Sequence, residues 1–124
     1  MHTAIRPMHR SRRIPIAVRA LMTLAATLGV VVVALVVYVA IAERNAGRKA
    51  IAFCLTVKVG ESPTGLLEQA KAAGASVRQS HWTQLESGEQ DLSAVFEGAT
   101  SQSRHVCSVQ AKDSVLRADY LHLD

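Results

Sequence analysis

The sequence is poor in aromatic residues and cysteine, and it lacks the motifs of common catalytic sites. Five of its 124 residues are aromatic and two are cysteines. There is no G-x-S-x-G and no glycine-rich phosphate-binding loop, and the acidic residues are spread singly along the chain. These absences argue against the common hydrolase and nucleotide-binding classes. We therefore expect a protein that is not an enzyme and uses no cofactor.

Metal ligands at the usual local spacings are also missing. His81, His105 and His122 lie too far apart for an H-x₃₋₅-H pair, and there is no C-x₂-C. His105 and Cys107 are two residues apart, so they would share one face of a strand. We interpret the histidines as surface or edge residues and predict no metal site.

The net charge of +4 does not indicate a nucleic-acid-binding protein. Residues 1–20 hold five arginines and no acid, whereas residues 43–124 hold nine basic and ten acidic residues. With so few aromatics, the domain lacks the basic and aromatic patches that bind nucleic acid. Two prolines interrupt residues 1–20, which we expect to be a disordered, cytoplasmic basic arm. Its arginines are Arg6, Arg10, Arg12, Arg13 and Arg19.

The longest apolar segment runs from Leu21 to Ala42 without a charged residue. As a helix, a run of this length would reach about 33 Å, enough to cross a hydrocarbon core of about 30 Å. Five basic residues precede this run, and three follow it closely at positions 44, 48 and 49. The positive-inside rule then predicts a single-pass inner-membrane protein with a cytoplasmic N-terminus and a periplasmic domain over residues 43–124.

Two further features of the apolar run bear on cleavage of the chain and on the association of two helices. Ala40-Ile41-Ala42 is an A-x-A pattern, so the alternative is a secreted small binding or inhibitor protein released by cleavage after Ala42. The apolar core of a signal peptide spans about 7–15 residues, and this longer run favours an uncleaved signal anchor. Ala25 and Gly29 are four residues apart, and this pair is a possible helix-packing face for a weak homodimer.

The start of the domain has two competing periodicities. Residues 51–59 alternate between apolar and small or polar side chains, which is typical of a strand. Another set of residues recurs at helical spacing and would continue the membrane helix: Ala46, Ala50, Cys54 and Val57. We leave residues 45–54 open between helix and strand, and we predict a strand over Leu55–Val59.

The rest of the domain predicts an α+β fold with one helix packed on a small antiparallel sheet of three or four strands. Ser62 and Pro63 are suited to begin the helix, and Gly74 to end it. The predicted strands are a weak one within Ser76–Leu85, then Leu92–Glu97, His105–Ala111 and Val115–Leu123. We expect a loop over Gly98–Ser103 and a tight connection over Lys112–Ser114. The candidate core residues are Leu66, Leu67, Ala70, Leu92, Ala94, Phe96, Val109, Leu116 and Tyr120.

The two cysteines carry the most chemical information. Cys54 and Cys107 lie in apolar segments near the two ends of the domain, and an oxidising compartment would favour a disulfide between them. Closing a loop of 53 residues would stabilise the domain by about 4 kcal/mol on the chain-entropy account. We predict that this bridge is structural, because redox sites more often use C-x-x-C.

One resemblance bears on the function of the domain. The order Val59-Gly60-Glu61-Ser62, a helix, a strand bearing Trp82 and further antiparallel strands resembles small envelope domains of outer-membrane-assembly lipoproteins and of β-lactamase inhibitor proteins. The resemblance implies a domain that binds proteins. We expect a protein-interaction, accessory or sensor module whose partners are the lipid bilayer and another envelope protein.

Overall fold

A computed structural model describes residues 3–5 and 13–124 of the chain. It confirms an α+β arrangement with one long apolar N-terminal helix, a short helix and an antiparallel sheet of four strands. Two compact units are present, one ending at Ala34 and the other comprising Leu35–Asp124. The elements are α1 (Ile16–Thr56), α2 (Leu66–Ala72), β1 (His81–Gln84), β2 (Gln90–Glu97), β3 (Arg104–Ala111) and β4 (Val115–Leu123).

Helix α1 begins earlier than the apolar run. The carbonyl oxygen of Pro15 accepts hydrogen bonds from the backbone N–H groups of Val18 (3.0 Å) and Arg19 (3.1 Å). Residues 16–20 are therefore helical, and the expected disordered arm is wrong over this stretch. Arg13 and Arg19 belong to the described residues, whereas the other arginines of the arm lie outside them: Arg6, Arg10 and Arg12.

The apolar part of α1 meets the requirements of a membrane span. Its most apolar window has a mean hydropathy of 2.8, and none of that window is buried. From Leu21 to Ile41 every side chain is exposed, as expected of a helix whose natural surroundings are lipid. Among the residues that the structure describes, α1 is the one helix long and apolar enough to cross a membrane.

The second half of α1 resolves the ambiguity at the start of the domain. The helix continues to Thr56, so residues 45–54 are helical and the predicted strand over Leu55–Val59 is wrong. One helical face is buried while Leu55, which a strand would have placed beside Phe53, is 78% exposed. The alternating pattern therefore does not predict the structure of this segment, because the residues that pack against the sheet are those on one helical face. That face comprises Ala46, Gly47, Ala50 and Phe53, and the buried Val57 follows directly after the helix.

The four strands form a meander in the order β1-β2-β3-β4, with every neighbouring pair antiparallel. The three longer strands agree with the predicted ones, and the weak strand is limited to His81–Gln84. β3 and β4 join through Lys112–Ser114, where the Lys112 N–H donates to the Ser114 carbonyl oxygen at 3.1 Å. β1 and β4 are therefore the edge strands of this sheet.

A register shift in the last hairpin affects which residues face each other. Ala111 pairs with Val115, but Gln110 pairs with Arg117, so Leu116 is an extra residue in β4. Such a bulge leaves the inserted residue unpaired and shifts every later pair by one position. Leu116 is 45% exposed, and its predicted place in the core is wrong; the buried residue is Val115.

Helix α2 is shorter than predicted and begins later. The Ser62 hydroxyl accepts a hydrogen bond from the Thr64 N–H at 3.3 Å, so it stabilises a turn and does not cap the helix. The helix starts at Leu66 after Gly65, whose φ of 79° suits glycine. Gly74, with a φ of 110°, ends the helical turn as predicted.

The core lies between the sheet and the two helices. Most of the predicted core residues are buried there, and Leu67 is partly buried against the core. The prediction that Tyr120 belongs to the core is wrong, because its side chain is exposed at the edge of the sheet. The rings of Phe53 and Phe96 pack with their centroids 6.1 Å apart. The confirmed buried members are Leu66, Ala70, Leu92, Ala94, Phe96 and Val109.

A disulfide fixes α1 to the sheet. Cys54 near the end of α1 is bonded to Cys107 in the middle of β3, with their Cα atoms 5.6 Å apart. This confirms the predicted bridge. Cys107 is fully buried, so the bond lies inside the core and closes a loop of 53 residues.

A helix over residues 53–55 predicts a large effect on stability for one apolar residue, Phe53, and almost none for another, Leu55. Phe53→Ala should lower the free energy of unfolding by about 3–5 kcal/mol, because it removes a buried ring and leaves a cavity. Leu55→Ala should change that free energy by no more than about 0.5 kcal/mol, because its side chain lies outside the core. Denaturant unfolding of the full chain in detergent measures both. Comparable losses for the two variants would contradict a helix over these residues.

Candidate functional site

A carboxylate and two imidazoles from three different elements meet at one end of the sheet. Glu43 is on α1, directly after Ala42, while His105 and His122 are directly paired residues of β3 and β4. The ligand atoms of these three side chains all lie within 4.8 Å of one another. We call this group the Glu–His cluster.

The Glu43 carboxylate is bound by three donors. Its Oε1 accepts a hydrogen bond from the Ala99 N–H (2.9 Å), and its Oε2 accepts bonds from the Ser103 hydroxyl and from His105 Nε2, both at 2.8 Å. Ala99 and Ser103 belong to the predicted loop between β2 and β3. Gly98 lets this loop approach the carboxylate, because a Cβ at that position would overlap the Glu43 side chain.

These contacts lower the pKa of Glu43 to about 2. The largest cause is the hydrogen bond from His105, followed by those from the Ala99 N–H and the Ser103 hydroxyl, while desolvation acts in the opposite direction. Glu43 is consequently ionised at neutral pH, and its charge is matched by hydrogen-bond donors on both oxygens.

His105 is the buried member of the cluster. Because a carboxylate only accepts hydrogen bonds, the His105 Nε2 that faces Glu43 must carry a proton. Its Nδ1 lies 2.7 Å from the Tyr120 hydroxyl, which donates to that nitrogen when the ring is neutral. The ring also packs closely on α1 at Gly47, where a Cβ would come within 3.3 Å of Nδ1. A small residue is therefore needed there for the helix to approach the histidine.

His122 opens the cluster to solvent. Its ring stacks on that of His105 with the centroids 4.2 Å apart and the planes 5° apart. Its Nε2 is 3.9 Å from Glu43 Oε2 and 3.2 Å from Asp124 Oδ1. The side chain is 42% exposed.

The arrangement does not match a catalytic triad. In a triad the serine and the acid bind opposite nitrogens of one histidine. Here Ser103, Glu43 and Asp124 all approach the same Nε2 of His122, and the Ser103 hydroxyl is committed to Glu43. What the geometry offers is a set of nitrogen and oxygen donors that can hold a network of hydrogen bonds or a cation.

The sequence named His105 and His122 only as surface or edge residues, which is wrong for His105 because its side chain is buried on β3. His105 and Cys107 do share the buried face of β3, and His105 pairs with His122, but His81 lies outside the cluster on β1. Glu43, the third member of the cluster, was not among the residues that the sequence singled out. Its position at the end of the apolar run, on a helix that continues into the domain, is the signal that could have indicated a role.

No protein-family model, curated protein or solved structure matches the chain. The resemblance to small envelope domains therefore receives no support from known relatives. Conclusions about function depend on the chain itself.

The small-residue pair of α1 is open to a neighbour. Ala25 and Gly29 are both exposed, and a Cβ at Gly29 would meet no atom within 4 Å. A second helix could approach this surface closely. Dimerisation through it stays a prediction.

The three hydrogen bonds to the Glu43 carboxylate predict that removing its charge destabilises the domain. Glu43→Gln should lower the free energy of unfolding at neutral pH by about 1–3 kcal/mol, because it weakens charge-assisted hydrogen bonds and leaves His105 poorly paired. The control Glu68→Gln should change it by less than about 0.5 kcal/mol, because that side chain is exposed and pairs only with Lys71.

The same variants give a pH test, carried out with a chelator present. A lowered pKa means that Glu43 stabilises the fold fully above its ordinary value of 4.5 and loses this effect as the pH falls to about 2. The difference between wild type and Glu43→Gln should therefore shrink over that range. A difference that stays constant with pH would show that the charge of Glu43 does not stabilise the fold.

Proposed function

We propose that this chain is a single-pass inner-membrane protein whose periplasmic domain binds another envelope protein, as an accessory or sensor module. The apolar, exposed part of α1 supplies the anchor. The excess of arginine before the apolar run supports a cytoplasmic N-terminus. The small domain has a folded core, a cross-link and an exposed edge strand, which supports a binding role.

The observation that carries the proposal is the position of the disulfide. Cys54 lies on the same helix as the apolar run and twelve residues beyond its end at Ala42. Stable disulfides belong to oxidising compartments, and the cytoplasm keeps thiols reduced. The bond between Cys54 and Cys107 therefore supports a domain on the far side of the membrane from the arginine-rich N-terminus.

The continuity of α1 supports an anchor that is not cleaved. The helix passes without interruption from Ala42 into Glu43, whose carboxylate is tied to the loop and to β3. Cleavage after Ala42 would leave Glu43 as a terminal residue with no preceding turn to hold its backbone. A secreted binding protein is the outcome that this arrangement disfavours.

The edge strand β4 supports protein binding. It pairs with β3 on one side, and on its other side the backbone of its first residue, Val115, is bonded to Gly60 and Glu61. Beyond that point it presents exposed apolar side chains, among them Leu121 and Leu123. A long edge strand of this kind can add an extended segment from a partner as a further strand. We propose such a segment of another envelope protein as the occupant, with weak self-association through Ala25 and Gly29 as a secondary contact.

Membrane topology gives the first test. A reporter that is active only outside the cytoplasm should be active when fused after Asp124, and the two cysteines should resist alkylation in intact cells until a reductant is added. The intact mass should include residues 21–42. A reporter active only in the cytoplasm would reverse the topology, and a mature N-terminus at Glu43 would replace the anchored protein by the secreted one.

Site-specific crosslinking gives the second test. A photoreactive residue at Leu121 on β4 should form adducts with another protein in intact membranes. The same residue at Val77, an apolar position outside β4 that is more exposed than Leu121 (71% against 48%), should not. Equal adducts at both positions, or none at Leu121, would contradict binding through β4. Adducts containing only this chain would show that the partner is a second copy.

A further inference from the structure

We propose that the Glu–His cluster binds a divalent first-row transition cation of the zinc class. The ligands are Glu43 Oε2, His105 Nε2 and His122 Nε2. Two imidazoles and one carboxylate form a donor set that suits Zn²⁺ and its neighbours in the series, whereas Mg²⁺ and Ca²⁺ require oxygen ligands. Both cysteines are held in the disulfide, so no thiolate competes for the ion.

The spacing of the donor atoms fits such an ion. Bonds of about 2.0–2.2 Å in tetrahedral geometry place neighbouring ligand atoms about 3.4 Å apart. Glu43 Oε2 lies 2.8 Å from His105 Nε2 and 3.9 Å from His122 Nε2, distances that lie on either side of this value. The ligand atoms all lie within 4.8 Å of one another, so shifts on the order of 1 Å would place all three at bonding distance from one ion. These shifts would include a tilt of the exposed His122 ring away from parallel stacking.

The outer contacts of the cluster are those that orient metal ligands. The Ala99 N–H and the Ser103 hydroxyl hold the Glu43 carboxylate with Oε2 toward the histidines. The Tyr120 hydroxyl holds His105 through its other ring nitrogen. Outer partners of this kind fix the orientation of a ligand before the ion arrives.

Tyr120 also allows His105 to present a lone pair to the ion. In the neutral ring Nε2 carries the proton and Nδ1 accepts from Tyr120. With the ion at Nε2, the neutral ring takes the other tautomer, its proton moves to Nδ1, and the Tyr120 oxygen accepts that hydrogen bond. A hydroxyl both donates and accepts, so the 2.7 Å contact serves either tautomer.

The ion has an entry route and a fourth ligand. His122 and Glu43 are partly exposed, and Asp124 Oδ1 lies 3.2 Å from His122 Nε2, so this carboxylate or a water can complete the coordination. A bound ion would join α1, β3 and β4 beside the end of the apolar run. The site involves only residues within the domain and does not depend on which side of the membrane that domain occupies.

Zinc titration tests this inference on the full chain in detergent, prepared without a polyhistidine tag and stripped with a chelator. Calorimetry with ZnCl₂ should show one ion per chain. His122→Gln should weaken binding by at least about tenfold, the smallest effect expected from losing even an outer partner. The matched control His81→Gln, another strand histidine outside the cluster, should bind like the wild type.

X-ray absorption of the zinc-loaded wild type tests the ligand set without any substitution. The spectrum should show two imidazoles with the remaining ligands oxygen. A wild type that shows no saturable zinc binding would overturn the site. So would equal affinity in His122→Gln and His81→Gln, or a spectrum with fewer than two imidazoles.

Discussion

The close packing of the second half of α1 on the sheet is the constraint on which the domain depends. Ala46, Gly47 and Ala50 are buried, and at Gly47 an added Cβ would come within 3.3 Å of His105 Nδ1 on β3. Phe53 then reaches Phe96, and the disulfide from Cys54 holds the helix at that distance. Because a domain of this size has a small core, a covalent link between the end of α1 and the sheet contributes a large share of its stability.

The same packing creates the Glu–His cluster. One turn before Gly47, the helix carries Glu43 to the end of the sheet where His105 and His122 are paired. Without a close helix, the carboxylate would lie in solvent and the two imidazoles would form an ordinary cross-strand pair. The cluster therefore forms only where α1 lies close to β3 and β4, immediately beyond the apolar run.

Much of the fold could be predicted from the sequence, and the failures have physical causes. The three longer strands, the apolar helix and the cysteine pair were correct because periodicity, hydropathy and the existence of only two cysteines are local or compositional facts. Residues 51–57 satisfied a period of two and a helical period together, so only burial against the sheet could decide between them. In the candidate site, simple counting across the Lys112–Ser114 turn would have placed Leu121 opposite His105. The bulge at Leu116 brings His122 there.

By itself the sequence determined an uncharged helix of membrane length, an arginine excess on one side of it, and a single possible disulfide. These follow from composition and spacing, which do not depend on how distant segments meet. The tertiary structure alone decided that the helix continues into the domain, that Val115 and not Leu116 enters the core, and that Glu43 meets His105 from 62 residues away. Such contacts depend on strand register and on how closely small residues let a helix approach a sheet. Neither can be predicted from a local sequence pattern.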